Sequence, residues 1–141
     1  MGSHTIQTFG NLGRAYYFYP SKRDQARAPL EKALQLASDD LKVNPQDADV
    51  YTLAAEYSAM LSERSEALRY LNKALQLRPN DAETLYFAGI VHALIGENKE
   101  AVSWLQAALK RGYSQAEINS AFELDELRNS PEFRSRLTDV H

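Results

Sequence analysis

The chain has 141 residues, 44% hydrophobic and 25% charged, with a net charge of −3. This composition suits one soluble domain with an ordinary core and lacks the strongly basic footprint of a nucleic-acid-binding protein. Cysteine is absent, which excludes a disulfide framework or thiolate metal site and suits a cytoplasmic protein; no apolar run approaches the ~18–20 residues of a membrane span.

Met1-Gly2-Ser3-His4 reads as a purification-tag remnant (residues 1–4), so the natural sequence is expected to start at Thr5 as a piece of a longer protein. A first helix then runs into the aromatic stretch Tyr16-Tyr17-Phe18-Tyr19. Successive helical residues are ~100° apart, so one helix cannot turn all of these rings inward. They either pack against the neighbouring helix or serve as docking anchors. After the turn Tyr19-Pro20-Ser21-Lys22-Arg23, a long helix is expected near Lys22–Val43, with Leu41 and Val43 touching the hairpin that follows.

That following segment is the clearest part of the chain. Shifting Asp47–Asn80 by 34 residues aligns it with Asp81–Ser114, and ten of the 34 pairs are identical, against roughly two expected from average composition. The pentapeptide Lys-Ala-Leu-Gln-Leu also recurs, at Lys32–Leu36 and Lys73–Leu77. A fixed period in the range of ~20–50 residues marks stacked supersecondary units. In the middle unit Tyr51, Ala54, Ala55 and Ser58 mark one helix face, and Ala67, Leu71, Ala74 and Leu75 a second, around the turn Ser62-Glu63-Arg64-Ser65. The last unit repeats this with Leu85, Ala88, Gly89 and His92, then Ala101, Leu105, Ala108 and Leu109, around Gly96-Glu97-Asn98. The small residues let two helices approach closely while a bulky neighbour fills the groove. Asp47 and Asp81 (or Asn80) are the expected N-caps, and Pro45 and Pro79 separate the units. Lys32 and Lys73 lie 41 residues apart rather than 34. The seven added residues amount to about two α-helical turns, which preserves the helix face.

These slots resemble the tetratricopeptide repeat (TPR) family, whose pattern runs aromatic-x2-Leu-Gly-x2-Tyr, then Ala-x3-large apolar, Ala and Pro. The first unit has Phe9-x2-Leu12-Gly13-x2-Tyr16, Ala26-x3-Leu30 and Ala33; the second has Tyr51, Ala54-Ala55, Ala67-x3-Leu71, Ala74 and Pro79. The third has Leu85, Ala88-Gly89, Ala101-x3-Leu105 and Ala108, with Tyr113 where proline is expected. The resemblance implies an all-α, right-handed solenoid of three TPR-type helical hairpins over about 5–46, 47–80 and 81–114.

The tail, 115–141, breaks the rhythm and is expected to form short capping helices. Ser130-Pro131 supplies an N-cap and a first-turn proline, and Leu124, Leu127, Phe133 and Leu137 supply apolar contacts. Leu124-x2-Leu127-Arg128-x-Ser130-Pro131-x-Phe133 resembles the ending that follows such repeats in bacterial multidomain kinases, cyclases and regulators. It implies a bacterial parent whose C-terminus lies near His141.

Candidate chemistry is sparse. His4 belongs to the tag-like start and His141 is terminal, which leaves His92, in the slot of Tyr16 and Ser58, best read as packed between helices. No metal-ligand cluster, phosphate loop or nucleophile set is present, so no catalytic residue, cofactor or metal is expected. Lys22-Arg23 and Lys110-Arg111 are too small for a nucleic-acid patch.

The resemblance implies a concave surface lined by first helices that takes an extended peptide or a helix. Positions avoiding the small-residue strip are Arg14, Tyr17 and Phe18, then Asp49, Thr52 and Glu56, then Glu83, Tyr86 and Ile90. Some family members clamp a chaperone's C-terminal carboxylate with Lys, Asn and Arg; here Tyr86 and Ile90 replace the basic residues and only Asn11 and Arg14 match. The expected function is a non-enzymatic protein–protein interaction module. The alternatives are self-association, through the aromatic run or the Trp104-bearing helix, and docking onto another domain of the parent chain.

Overall fold

In a computed structural model the described residues, 2–137, are helical with no strand among them. The chain divides into two compact units, one ending at Leu77 and the other beginning at Arg78, where composition suggested one domain.

In the first unit α1 (Gly2–Tyr17) pairs with α2 (Arg27–Val43), and α3 (Ala48–Met60) pairs with α4 (Arg64–Leu77); α3 also packs on α1 and α2. The tag-like His4 lies within α1, where its carbonyl accepts from the Thr8 hydroxyl at 3.1 Å. The long helix expected over Lys22–Val43 starts later, at Arg27, and Pro20–Gln25 forms a 3-10 turn instead. Pro29 is the reason. Its ring would collide with the carbonyl of Gln25 in a continuous α-helix, but it is tolerated in a first turn that begins at Arg27. At the other end α2 does extend to Val43. Leu41 is half-buried and lines a depression with Tyr51 and Tyr70 of the next hairpin, whereas Val43 is 87% exposed and makes no core contribution.

Close approach within each hairpin follows the small-residue slots. A Cβ at residue 13 would lie 2.6 Å from Leu30 Cδ2, and one at residue 89 would lie 2.6 Å from Leu105 Cδ2. The glycines therefore make room for leucines of the partner helix. Ala33, Ala54, Ala67, Ala74, Ala88, Ala101 and Ala108 are fully buried in the same strips.

Helix ends are specified one by one. Asp47 caps α3 by accepting from the Val50 N–H at 3.2 Å. Beyond Met60 the chain reverses with Ser62 at φ 62°, its N–H donating to Ala59 O (3.0 Å) while Glu63 N–H donates to Ser58 O (2.9 Å). In the second unit Gly96 (φ 84°) does the same, with N–H donors to Ala93 O (3.1 Å) and, from Glu97, to His92 O (2.8 Å). Both are Schellman ends, one with the residue that left-handed backbone prefers and one without it.

The second unit contains the hairpin α5 (Ala82–Leu94) and α6 (Asn98–Lys110), followed by short α7 (Gln115–Ser120), α8 (Asp125–Arg128) and α9 (Pro131–Arg136). Asp81 caps α5, and Ser114 caps α7 by accepting from Glu117 N–H at 3.2 Å. The 3-10 turn Phe122–Leu124 packs on α5, and α9 packs on α6. Ile118, Leu124, Leu127, Phe133 and Leu137 are buried there. Arg128 donates 2.9 Å hydrogen bonds to the carbonyls of Ile118 and Ala121, closing the C-terminal end of α7. Ser130 accepts from Phe133 N–H (3.2 Å) and donates to Leu127 O (2.6 Å), so it caps α9 and ties it to α8. Every fixed position of the Leu-Leu-Arg-Ser-Pro-Phe ending thus has a packing or capping task in this unit.

Candidate functional site

The first-helix residues singled out from the sequence divide by burial. Arg14, Tyr17 and Phe18 sit half-buried at the C-terminal end of α1 or just past it, and Asp49 and Glu83 are exposed near the starts of α3 and α5. Thr52 (6% exposed), Glu56 (5%), Tyr86 (7%) and Ile90 (1%) are buried instead, which corrects their assignment to a solvent-lined surface. The small-residue period marks only the strip facing the paired helix; it does not require the opposite side to face water. α3 is apolar and small nearly all round, and every one of its residues but Asp49 is buried. For Tyr86 the cause is Tyr113, at the expected proline slot. Its ring stacks on Tyr86 with centroids 4.1 Å apart and an interplanar angle of 16°. Burial, with the negative charges of Glu117, Glu83 and Glu123 nearby, pushes the Tyr113 hydroxyl up to about 12.

The aromatic stretch forms an arginine-braced cluster in the first unit. Tyr17 and Phe18 meet edge to face at 4.9 Å. Arg23 lies 4.3 Å over the Tyr17 ring and its Nε donates to Tyr17 O at 2.9 Å, closing the end of α1. Arg14 approaches Phe18 at 5.7 Å. Tyr19 points outward, 58% exposed. From the sequence Lys22-Arg23 is only too small a pair for a nucleic-acid patch; the packing of the 3-10 turn on α1 is what gives Arg23 this task.

A feature that the repeat slots did not single out is an open depression of about 210 Å³ in the first unit, lined by Ser38, Leu41, Lys42, Tyr51, Arg69 and Tyr70. Tyr51 donates to Pro45 O at 3.0 Å, which fixes its ring, and lies 6.3 Å from the Tyr70 ring. Arg69 stacks 4.5 Å over Tyr70 and is held by Glu66 at 2.6 Å. This charge-assisted bond lowers the Glu66 carboxyl below its ordinary range and raises Arg69. The sequence signal was the seven-residue extension of α2.

His92 stacks on Trp104 (centroids 6.4 Å, 19°) and its Nδ1 lies 2.9 Å from Glu97 Oε1. Among the described residues no group of three or more His, Asp or Glu could hold a metal ion, and no helix is long and apolar enough to cross a membrane. No protein-family model and no curated protein matches this chain.

Proposed function

We propose that the chain is a tetratricopeptide-type repeat region acting as a non-enzymatic protein–protein interaction module of a larger bacterial, cytoplasmic protein. The observation that carries this reading is the recurrence of one helix-pair contact. Gly13 against Leu30 and Gly89 against Leu105 use the same small-residue slot and the same 2.6 Å approach, and Asp47 and Asp81 each cap the following first helix by accepting from the N–H three residues on. Repeats of this kind supply rigid helix faces for peptides or helices rather than enclosed reaction chambers. In the first unit the accessible part of that face is Arg14, Tyr17, Phe18 and Asp49; in the second it is Glu83. In the first unit a carboxylate together with aromatic rings on first helices favours a segment carrying Lys or Arg and an apolar residue.

The test is selection of short random peptides on the immobilised chain, with Asp49→Lys and Tyr17→Ala variants of verified fold as counter-selections. Enrichment of basic–apolar peptides that both variants lose supports the reading. Peptides retained equally by all three proteins would overturn the assignment of this face. Exposed Tyr19, beside Tyr17 and Phe18, favours a second reading in which the same cluster pairs two copies or docks on another part of the parent chain. Light scattering over a wide concentration range distinguishes self-association by a concentration-dependent mass.

A further inference from the structure

Three residues of α1 sit in slots that the next repeat buries. Phe9, Leu12 and Tyr16 correspond to Tyr51, Ala54 and Ser58 of α3, which are 6%, 0% and 0% exposed. α2 packs on α3, and its Ser38 and Leu41 lie beside Tyr51. Only Asn44–Asp47 join α2 to α3, so the covering helix runs antiparallel to the covered one. On α1 the same slots stay open: Leu12 is 45% exposed, and Phe9 and Tyr16 are half-buried. Gly10 faces Tyr57 of α3. Leu12, two positions on, lies ~200° round the helix from it, on a flank turned away from α3.

That flank is uncharged. From Thr5 onward the exposed residues of α1 are Gln7, Thr8, Asn11, Leu12 and Ala15, whereas the exposed side of α2 carries Arg27, Glu31, Lys32, Asp39 and Lys42. The charged side chain of α1 in this stretch, Arg14, is turned to Phe18. A charged ligand finds no counter-charge on such a surface, but a second copy meets it without like-charge repulsion or a stranded ion. Geometry favours the same occupant. Two α1 helices across a two-fold axis run antiparallel, as α2 and α3 do, and present one patch to itself. With the axis at Leu12, which stands between Phe9 and Tyr16, the two leucines meet and each Phe9 approaches the other copy's Tyr16.

We propose that this flank of α1 is a homodimer interface, in which a second copy's α1 covers Phe9, Leu12 and Tyr16 as α2 covers the matching slots of α3. The proposal rests on the self-association reading above but moves the contact from Tyr17 and Phe18 to these three residues. So short a stripe falls below the roughly 20–30 residues a side of a standard interface, which makes the pair weak and transient.

The test is light scattering or sedimentation of the whole chain, with Leu12→Glu, Leu12→Lys and Tyr17→Ala variants whose helix content is checked by circular dichroism. The unaltered chain should rise toward the mass of two chains between about 10 μM and 1 mM. Each Leu12 variant alone should stay at the mass of one chain, because two like charges then meet at the axis. An equal mixture of the two should recover the two-chain mass, and Tyr17→Ala should pair as the unaltered chain does. A one-chain mass for the unaltered chain at every concentration would overturn both the interface and the self-association reading. Pairing that survives Leu12→Glu but is lost in Tyr17→Ala would overturn the α1 interface and leave that reading standing. A mixture of the two Leu12 variants that stays at one chain would overturn the two-fold contact at Leu12.

Discussion

Leu105 lies directly over Gly89: a Cβ at residue 89 would meet Leu105 Cδ2 at 2.6 Å, Cγ at 2.7 Å and the carbonyl of Ala101 at 3.3 Å. Two α-helices can come this close only because one of them offers no side chain at the crossing. The same relation joins Gly13 to Leu30, and the corresponding slots of the middle repeat hold Ala55 and Leu71, both buried.

This contact predicts a strongly non-additive double mutant. Gly89→Ala gains helix propensity of about 1 kcal/mol but overpacks against Leu105, and overpacking costs about 1–3 kcal/mol. The net effect should be destabilising. Leu105→Ala alone should cost about 2–5 kcal/mol, since Leu105 is fully buried. In the double variant the clash is gone, so Gly89→Ala should become neutral or favourable there. Chemical denaturation of the two single variants and the double measures the coupling; simple additivity would show that the leucine is not what reserves the space.

How much of this was legible follows from what each signal reports. Periodic Ala and Gly marked the hairpin crossings because close helix approach leaves no alternative residue type. Asp47, Asp81 and Ser130 were readable as caps because each lies immediately before a helical pattern and bonds to a nearby N–H. The start of α2 was misplaced because Pro29 sat inside an apparently continuous pattern, and proline's effect reaches back a full turn. Thr52, Glu56, Tyr86 and Ile90 were misplaced for a different reason. Their burial depends on contacts distant in sequence, such as Tyr113 on Tyr86, which no local period encodes.

The paired turns Ser62 and Gly96 give a second prediction. Ser62 holds φ 62°, where an L-residue other than glycine carries about 1–2 kcal/mol of steric cost. Ser62→Gly relieves that strain but gives the unfolded chain more freedom, so the expected gain is about 0.5–1 kcal/mol. Gly96→Ala, at φ 84°, should lose about 1 kcal/mol. Opposite shifts in thermal midpoint for these two substitutions would establish the correspondence of the turns; a destabilised Ser62→Gly would refute it.

Asp81 predicts how the second unit responds to acid. Its carboxylate accepts from Thr84 N–H at 3.0 Å and the Thr84 hydroxyl at 2.8 Å. The backbone bond, followed by the hydroxyl bond, holds its carboxyl below the ordinary value. A depressed folded value means the stabilisation is fully present above the unfolded carboxyl's pKa and is lost as pH falls through the folded one. Asp81→Ala should cost about 1 kcal/mol near neutrality and have a smaller effect once acid has protonated the cap. A variant whose stability parallels the unaltered chain at every pH would rule out this role.

The Tyr86–Tyr113 stack predicts the alkaline response. With the Tyr113 hydroxyl raised to about 12, the folded chain keeps its proton after the unfolded chain has lost it near pH 10. Its contribution is therefore present below about pH 10 and declines as pH rises toward 12. Tyr113→Phe should remove part of this decline, and absorbance at alkaline pH should show a late-ionising tyrosine that this variant lacks. Tyr86→Ala, which removes the buried partner ring, should cost roughly 3 kcal/mol. If Tyr86→Ala instead leaves stability unchanged, the stack does not form and Tyr86 returns to the accessible face.

Ser58 occupies the slot that His92 fills in the next repeat, with a different outcome. His92 reaches Glu97 at 2.9 Å, whereas the Ser58 hydroxyl is wholly buried without a hydrogen-bond partner. A buried hydroxyl left unpaired costs about 1–3 kcal/mol of desolvation, and replacing it by an apolar group of similar shape removes that cost. Ser58→Ala should therefore be neutral or stabilising by up to about 1 kcal/mol, while Ser58→Val should overpack the strip that Ala54 and Ala55 keep narrow. Denaturant midpoints of the two variants provide the check. A clear loss for Ser58→Ala would mean that the hydroxyl has found a partner in solution, and the small size of the slot would then not be its only requirement.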